Sequence, residues 1–217
     1  MLKRKIIWSI ITLFSIIIAF MSLRYAMFLF SGYPEINPVA DAASKGFMSH
    51  FAELFHQHKV LFLLHIIGGV IALLVGPFQL SRKLRTHYKR VHRIVGYIYI
   101  PSVLAGGIGG ISVGFYAFGE VTQAEFIALG SIWIMTLAVA VYAIIKRDFK
   151  LHEKWMFANF SLTFAAVTLR LELFPLMLEY DIVTAYQIVS WLCWVPNLIL
   201  GLLYKGHTAK LMFALTE

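Results

Sequence analysis

Polar and apolar positions segregate along this chain into long apolar runs and short polar clusters. The apolar runs occupy residues 6 to 30, 59 to 80, 92 to 118, 125 to 146, 153 to 177 and 183 to 204. Each reaches or exceeds the roughly 20 residues that a helix needs to cross the hydrocarbon of a bilayer. None alternates with the period of two expected of a barrel strand, so the backbone polar groups must be satisfied within each segment. The pattern therefore predicts an all-α fold. A single polytopic membrane domain spans residues 1–217, with six transmembrane helices packed as a bundle because all connections but one are short.

The exception is the segment 31 to 58. Its first half is rich in turn formers, and its second half places Phe47, Met48, Phe51, Leu54 and Phe55 at helical spacing. That spacing predicts an amphipathic helix lying on the membrane surface. The opening MLKRKIIWSIITLFSIIIAF starts with charge as a signal peptide does. Its apolar run then continues for about 25 residues without a small-x-small cleavage site, which predicts an uncleaved first span.

Charge sets the direction of the bundle. Of the 19 Lys and Arg residues, 15 fall on one side of these spans, leaving Arg24, Lys45, Lys59 and Arg170 toward the other. The asymmetry predicts that both termini are cytoplasmic, with the bilayer as the constant partner. Eight of the 11 acidic residues run the opposite way, so the net charge of +8 reflects topology. Nucleic-acid binding would need basic residues set in polar surface, and the chain has almost none. The lone Cys193 excludes an internal disulfide and a thiolate metal site. Phosphate-loop, HExxH and dinucleotide motifs are missing, which argues against soluble-type zinc-protease and nucleotide chemistry.

Histidine carries most of the remaining information. QLSRKLRTHYKRVHR and IIKRDFKLHEKW are both basic loops that end in a histidine, His92 and His152, at the start of the next span. If spans three and five are neighbours, the two imidazoles can face each other across a gap, as the axial pair of a haem iron requires. Equally, each can anchor its helix at the lipid headgroups. His65 lies about two turns inside span two, where an ionisable group marks a functional site or a bond to a neighbouring helix. Gln79, near the other end of that span, stands where a diheme cytochrome would carry a second histidine. Arg170, 18 residues after His152, shares its helix face about 27 Å away. It can snorkel to the surface, pair with Glu172 or Glu53, or hold an anionic group such as a propionate. Gly106, Gly109, Gly110 and Gly114 form small-xxx-small frames for helix packing, or a bare-backbone wall for a macrocycle or quinone. His50, His56 and His58 form a weak external metal-binding pattern.

The segments LHIIGGVIALLVGPFQ (64 to 79), HRIVGYIY (92 to 99) and LHEKWMFANFSLTFAAVTLR (151 to 170) resemble the bacterial membrane proteins grouped as domain of unknown function 2306. His65, Gln79, His92, Gly96, His152, Trp155 and Arg170 fall in that pattern. Where the pattern has His-Arg, this chain has His152 followed by Glu153. The resemblance implies a membrane protein and no specific activity. A more distant, architectural likeness is to helical-bundle cytochromes b.

Together these readings lead to a membrane redox protein as the first expectation. One b-type haem sits near the cytoplasmic face on His92 and His152, with Gln79 nearby. His65 and Arg170 line an outer pocket for a quinone, a propionate or another small carrier. A proton-coupled transporter or small-molecule binding protein is the alternative, with Pro77, Pro101, Pro175 and Pro196 as kink points. A third reading is an accessory subunit, working through a membrane partner or a second copy.

Overall fold

The computed structural model describes residues 2–31 and 41–203. Its helices are α1 (Leu2–Ser31), α2 (Ala42–Gln57), α3 (Lys59–Gln79), α4 (Arg82–His87) and α5 (Lys89–Gly114), followed by α6 (Glu120–Ile145), α7 (Phe149–Thr163), α8 (Ala165–Glu179), α9 (Ile182–Leu192) and α10 (Val195–Leu203). Six helical segments are long and apolar enough to cross a membrane: Ile6–Arg24, Lys59–Gln79, Lys89–Gly114, Glu120–Ile145, Phe149–Glu179 and Ile182–Leu203. They match the six runs of the sequence. The turn-rich part of the long loop, with Pro34 and Pro38, and the basic Lys205 and Lys210 lie outside the described residues.

Neighbours in the bundle follow chain order, α1 against α3, α3 against α5, α5 against α6 and α6 against α7, with α10 closing onto α7 and α3 touching α7 in the middle. The exterior is apolar, with Leu13, Phe20, Ile94, Tyr97, Ile108 and Leu178 exposed. Such a surface is stable only against lipid.

The α3–α5 pair is the tightest, and glycine is the reason. A β-carbon on Gly68 would lie 2.4 Å from the backbone nitrogen of Gly106, and one on Gly109 would lie 2.5 Å from that of His65. The glycine stripe of span three is thus filled by the backbone of span two, which rules out a macrocycle or quinone lying against Gly106 and Gly109.

Two spans are interrupted. Spans five and six are each two helices, broken at Phe164 and at Cys193–Trp194. Pro196 lacks the N–H that would bond the Leu192 carbonyl, and its ring crowds that carbonyl, so α9 stops there. The Cys193 carbonyl next to the break accepts from Thr168 Oγ1 at 2.5 Å and from Asn197 Nδ2 at 2.8 Å. In span five, the Thr163 hydroxyl bonds back to the Asn159 carbonyl at 3.1 Å, a contact that bends helices.

Helix α2 corrects one expectation. Phe47, Leu54 and Phe55 are buried on the end of the bundle, where Phe47 meets Phe118 and Tyr186 and Phe55 meets Phe62. Its apolar face is therefore covered by protein, because the ends of α5 and α9 offer aromatic surface within reach.

Gly68→Ala should force α3 and α5 apart and lower the melting temperature in detergent, at about 1–3 kcal/mol of stability. Gly69→Ala, whose β-carbon would meet nothing within 4 Å, should leave it unchanged. Equal effects in a thermal melt would show that backbone contact does not hold this pair.

Candidate functional site

Helices α5 and α7 both start at the end of the bundle that carries Arg82–Arg93 and Lys146–Lys150, and they run in the same direction. A buried polar network joins them. The Tyr99 hydroxyl donates to Asn159 Oδ1 at 2.7 Å and lies 2.9 Å from Thr163 Oγ1, which accepts from Trp133 Nε1 at 3.0 Å. Asn159 Nδ2 donates to the Trp133 carbonyl at 2.7 Å and to Thr136 Oγ1 at 2.8 Å. Spans three, four and five are thereby tied at one level.

This network sets the register of the two histidines. Tyr99 is seven residues beyond His92 and Asn159 seven beyond His152, so each pair shares a helix face about 10.5 Å apart. Bonding Tyr99 to Asn159 brings His92 and His152 to the same level on facing sides, within electrostatic range of one another. Spans three and five are thus linked by the reach of one phenol, without packing directly as α3 does on α5 or α6 on α7.

Local structure then orients each imidazole. Arg147 takes a left-handed conformation (φ 60°) and the Asp148 amide bonds the Ala143 carbonyl at 2.9 Å, ending α6. Asp148 Oδ1 then caps α7 at the Leu151 amide, 3.0 Å away. That tight turn brings His152 Nδ1 to 2.8 Å from the Ala140 carbonyl. A carbonyl only accepts, so Nδ1 carries the hydrogen, and in the neutral ring the lone pair is on Nε2. His92 Nδ1 is buried without a hydrogen-bond partner among the described residues. Gln79 is buried too; its Nε2 donates to the His92 carbonyl at 3.2 Å and would sit 3.3 Å from a β-carbon on Gly96. Gly96 therefore leaves room for Gln79, and Gln79 pins the first turn of α5.

Glu153 has a partner. Its Oε2 lies 2.9 Å from Arg85 Nη1 on α4, and Arg85 is also within electrostatic range of His92. The acidic residue at this position links α4 to α7 across the mouth of the histidine pair.

The other half of the bundle holds His65 and Arg170. His65 Nδ1 donates to the Gly106 carbonyl at 2.9 Å, its ring meets Phe126 edge-on at 5.8 Å, and Gly109 and Gly110 leave space for it. Arg170 donates to the Ala166 carbonyl at 2.7 Å and to Ser22 Oγ at 2.9 Å, and lies within electrostatic range of His65. Two of its partners are thus on its own helix and on α1.

The external histidines do not converge. His50 Nε2 donates to the Tyr116 carbonyl at 2.7 Å and His58 stacks on the Tyr116 ring at 3.9 Å, while His56 meets Phe55. No group of three or more His, Cys, Asp or Glu able to hold a metal ion occurs among the described residues. Six residues separate His50 from His56, which turns them to different sides of α2.

Sequence reasoning missed Tyr99, Trp133, Asn159 and Thr163. The available signal was Asn159, an amide in the middle of an apolar run, at the same offset from His152 as Tyr99 from His92.

A family model described as "Predicted membrane protein (DUF2306)" matches residues 62–205. No curated protein and no solved structure matches the chain, so the likeness to cytochromes b has no matching structure behind it. The matched region contains His65, Gln79, His92, His152 and Arg170.

Reversing Arg85→Glu or Glu153→Arg alone should lower the melting temperature, and the double reversal should restore it. Both side chains are about a third exposed, so the coupling in the double-mutant cycle should be only about 0.5–1 kcal/mol. A coupling of zero would mean the pair does not hold α4 to α7.

Proposed function

From the premise that this chain belongs to the DUF2306 family of predicted membrane proteins, we propose that it is a membrane redox protein holding one b-type haem on His92 and His152. The observation that carries this reading is the Tyr99–Asn159 hydrogen bond, two turns beyond each histidine, which sets both imidazoles at one level. The donor chemistry fits. His152 is fixed by the Ala140 carbonyl with Nε2 left as an electron-pair donor, as metal-binding histidines commonly are. When bound, a b-type haem supplies one-electron transfer at this position.

The residues around the pair have separate tasks. Gln79 holds the backbone of His92, so the ring cannot drift along the helix axis. Arg85 supplies positive charge beside the site for a propionate, balanced on its far side by Glu153. At the opposite end His65, already donating through Nδ1, can accept or release a proton at Nε2. Arg170 adds a fixed cation nearby, so this half suits a quinone or another small carrier that moves protons with electrons. The distribution of Lys and Arg puts the histidine pair at the cytoplasmic side of a bacterial membrane.

Transport or small-molecule binding is the second reading, and the breaks in spans five and six favour it. Interrupted helices are a feature of transporters, whose substrate sites lie at mid-span.

The visible spectrum of detergent-purified protein from haem-replete cells, before and after dithionite, tests the first reading. A reduced b-type α-band in wild type, lost in His92→Ala and in His152→Ala, is expected. A flat spectrum in correctly folded wild type would overturn it.

A further inference from the structure

The half of the bundle away from the histidine pair buries polar groups that no described residue satisfies. Glu125 on α6 is 3% exposed and makes no hydrogen bond or ion pair among the described residues. Thr122 Oγ1, one turn earlier, is buried and unpartnered; so are Glu172 Oε2 on α8 and Trp194 Nε1 at the break between α9 and α10. Each such group costs free energy in a hydrocarbon setting.

These groups converge. Both Glu125 and Glu172 act electrostatically on Cys193, the residue before Trp194. Trp194 packs in one cluster with Ala128 and Leu129, the turn after Glu125, and with Leu169 and Leu173 beside Glu172. Its indole lies 5.6 Å from that of Trp191, tilted by 37°, and Trp191 Nε1 donates to the Val121 carbonyl one turn before Glu125.

The helix ends around these groups carry acids. Glu120, Glu179 and Asp181 are exposed at the ends of the same three helices. Glu125 lies about 7.5 Å inside the start of α6 and Glu172 about 10.5 Å inside the end of α8. Arg170, two residues from Glu172, is directed away from it and donates to Ser22 on α1. Acids therefore descend from surface to interior with indole rings beside them, and no ion pair neutralises Glu125 or Glu172 among the described residues.

We propose that Glu125 and Glu172, with the indoles of Trp191 and Trp194, form a binding site for a hydrophobic organic cation entering from this half of the membrane. A cation satisfies both carboxylates and gains from indole faces, where cation–π attraction is strongest. Its apolar substituents occupy the space that lipid would otherwise fill. The site is separate from the histidine pair and does not rest on the haem reading.

The test uses the full chain in detergent, with tetraphenylphosphonium as probe and tetraphenylborate as a control of the same shape and opposite charge. Equilibrium dialysis should give saturable binding of the cation alone, accompanied by quenching of tryptophan fluorescence. Glu125→Gln should weaken it at least about tenfold, and Glu172→Gln less, since that side chain is partly exposed. Glu125→Asp, which keeps the charge, should retain most of the binding and serves if the Gln variant does not fold. Non-saturable uptake, equal binding of both ions, or undiminished binding in every folded variant that lacks the Glu125 charge would overturn the proposal.

Discussion

A polar group inside hydrocarbon must find its partner within the protein, and the buried amide of Asn159 shows how much follows from that requirement. Its carbonyl takes the Tyr99 hydroxyl, and its NH2 reaches the Trp133 carbonyl and Thr136, so one side chain ties spans three, four and five. Hydrophobic burial cannot do this in a membrane, because lipid solvates apolar side chains as well as a neighbouring helix does. Packing and hydrogen bonds are the remaining forces. The network specifies a depth as well as a contact, since sliding α5 against α7 by one turn would orphan the phenol and the amide together.

That fixed depth gives the basic end its organisation. With the register set, His92 and His152 stand level without touching through their own helices, and the groups around them have settled positions. Gln79 closes on the first turn of α5 because Gly96 leaves room. Glu153 turns from an unexpected acid into the partner of Arg85, and so the short α4 becomes part of the wall around the pair. A site assembled from four helices in this way is as rigid as the core that supports it.

The opposite half is built on another principle. There α3 and α5 touch backbone to backbone through Gly68, Gly106 and Gly109, and His65 is secured within that contact. Farther around the bundle, α6, α8 and α9 bring together carboxyls and an indole N–H with no internal partner. The Tyr99–Asn159 network satisfies its polar groups internally, with His92 Nδ1 left open below it, while the side formed by α6, α8 and α9 leaves several open. Ligand binding belongs where polar groups are still unsatisfied, and the breaks at Phe164 and Cys193–Trp194 lie between the two halves.

The six spans and their helical form were legible in the sequence, as was the cost of placing His65, His92, His152 and Arg170 within them. Hydrocarbon thickness and the cost of an ionisable group within it act on each segment separately, so a linear pattern records them. The glycine stripe was legible as a packing face for the same reason. What faces what was not legible, because pairing depends on the three-dimensional order of helices and on single side chains long enough to bridge them. Tyr99 reaching Asn159, Glu153 meeting Arg85, Arg170 donating to Ser22 and Glu125 being left without a partner are all outcomes of helix placement. The sequence by itself determined which segments cross the membrane and which residues are costly there. Only the tertiary structure decided which of those costs are met inside the protein, since a hydrogen bond between helices exists only once their depth and rotation are set.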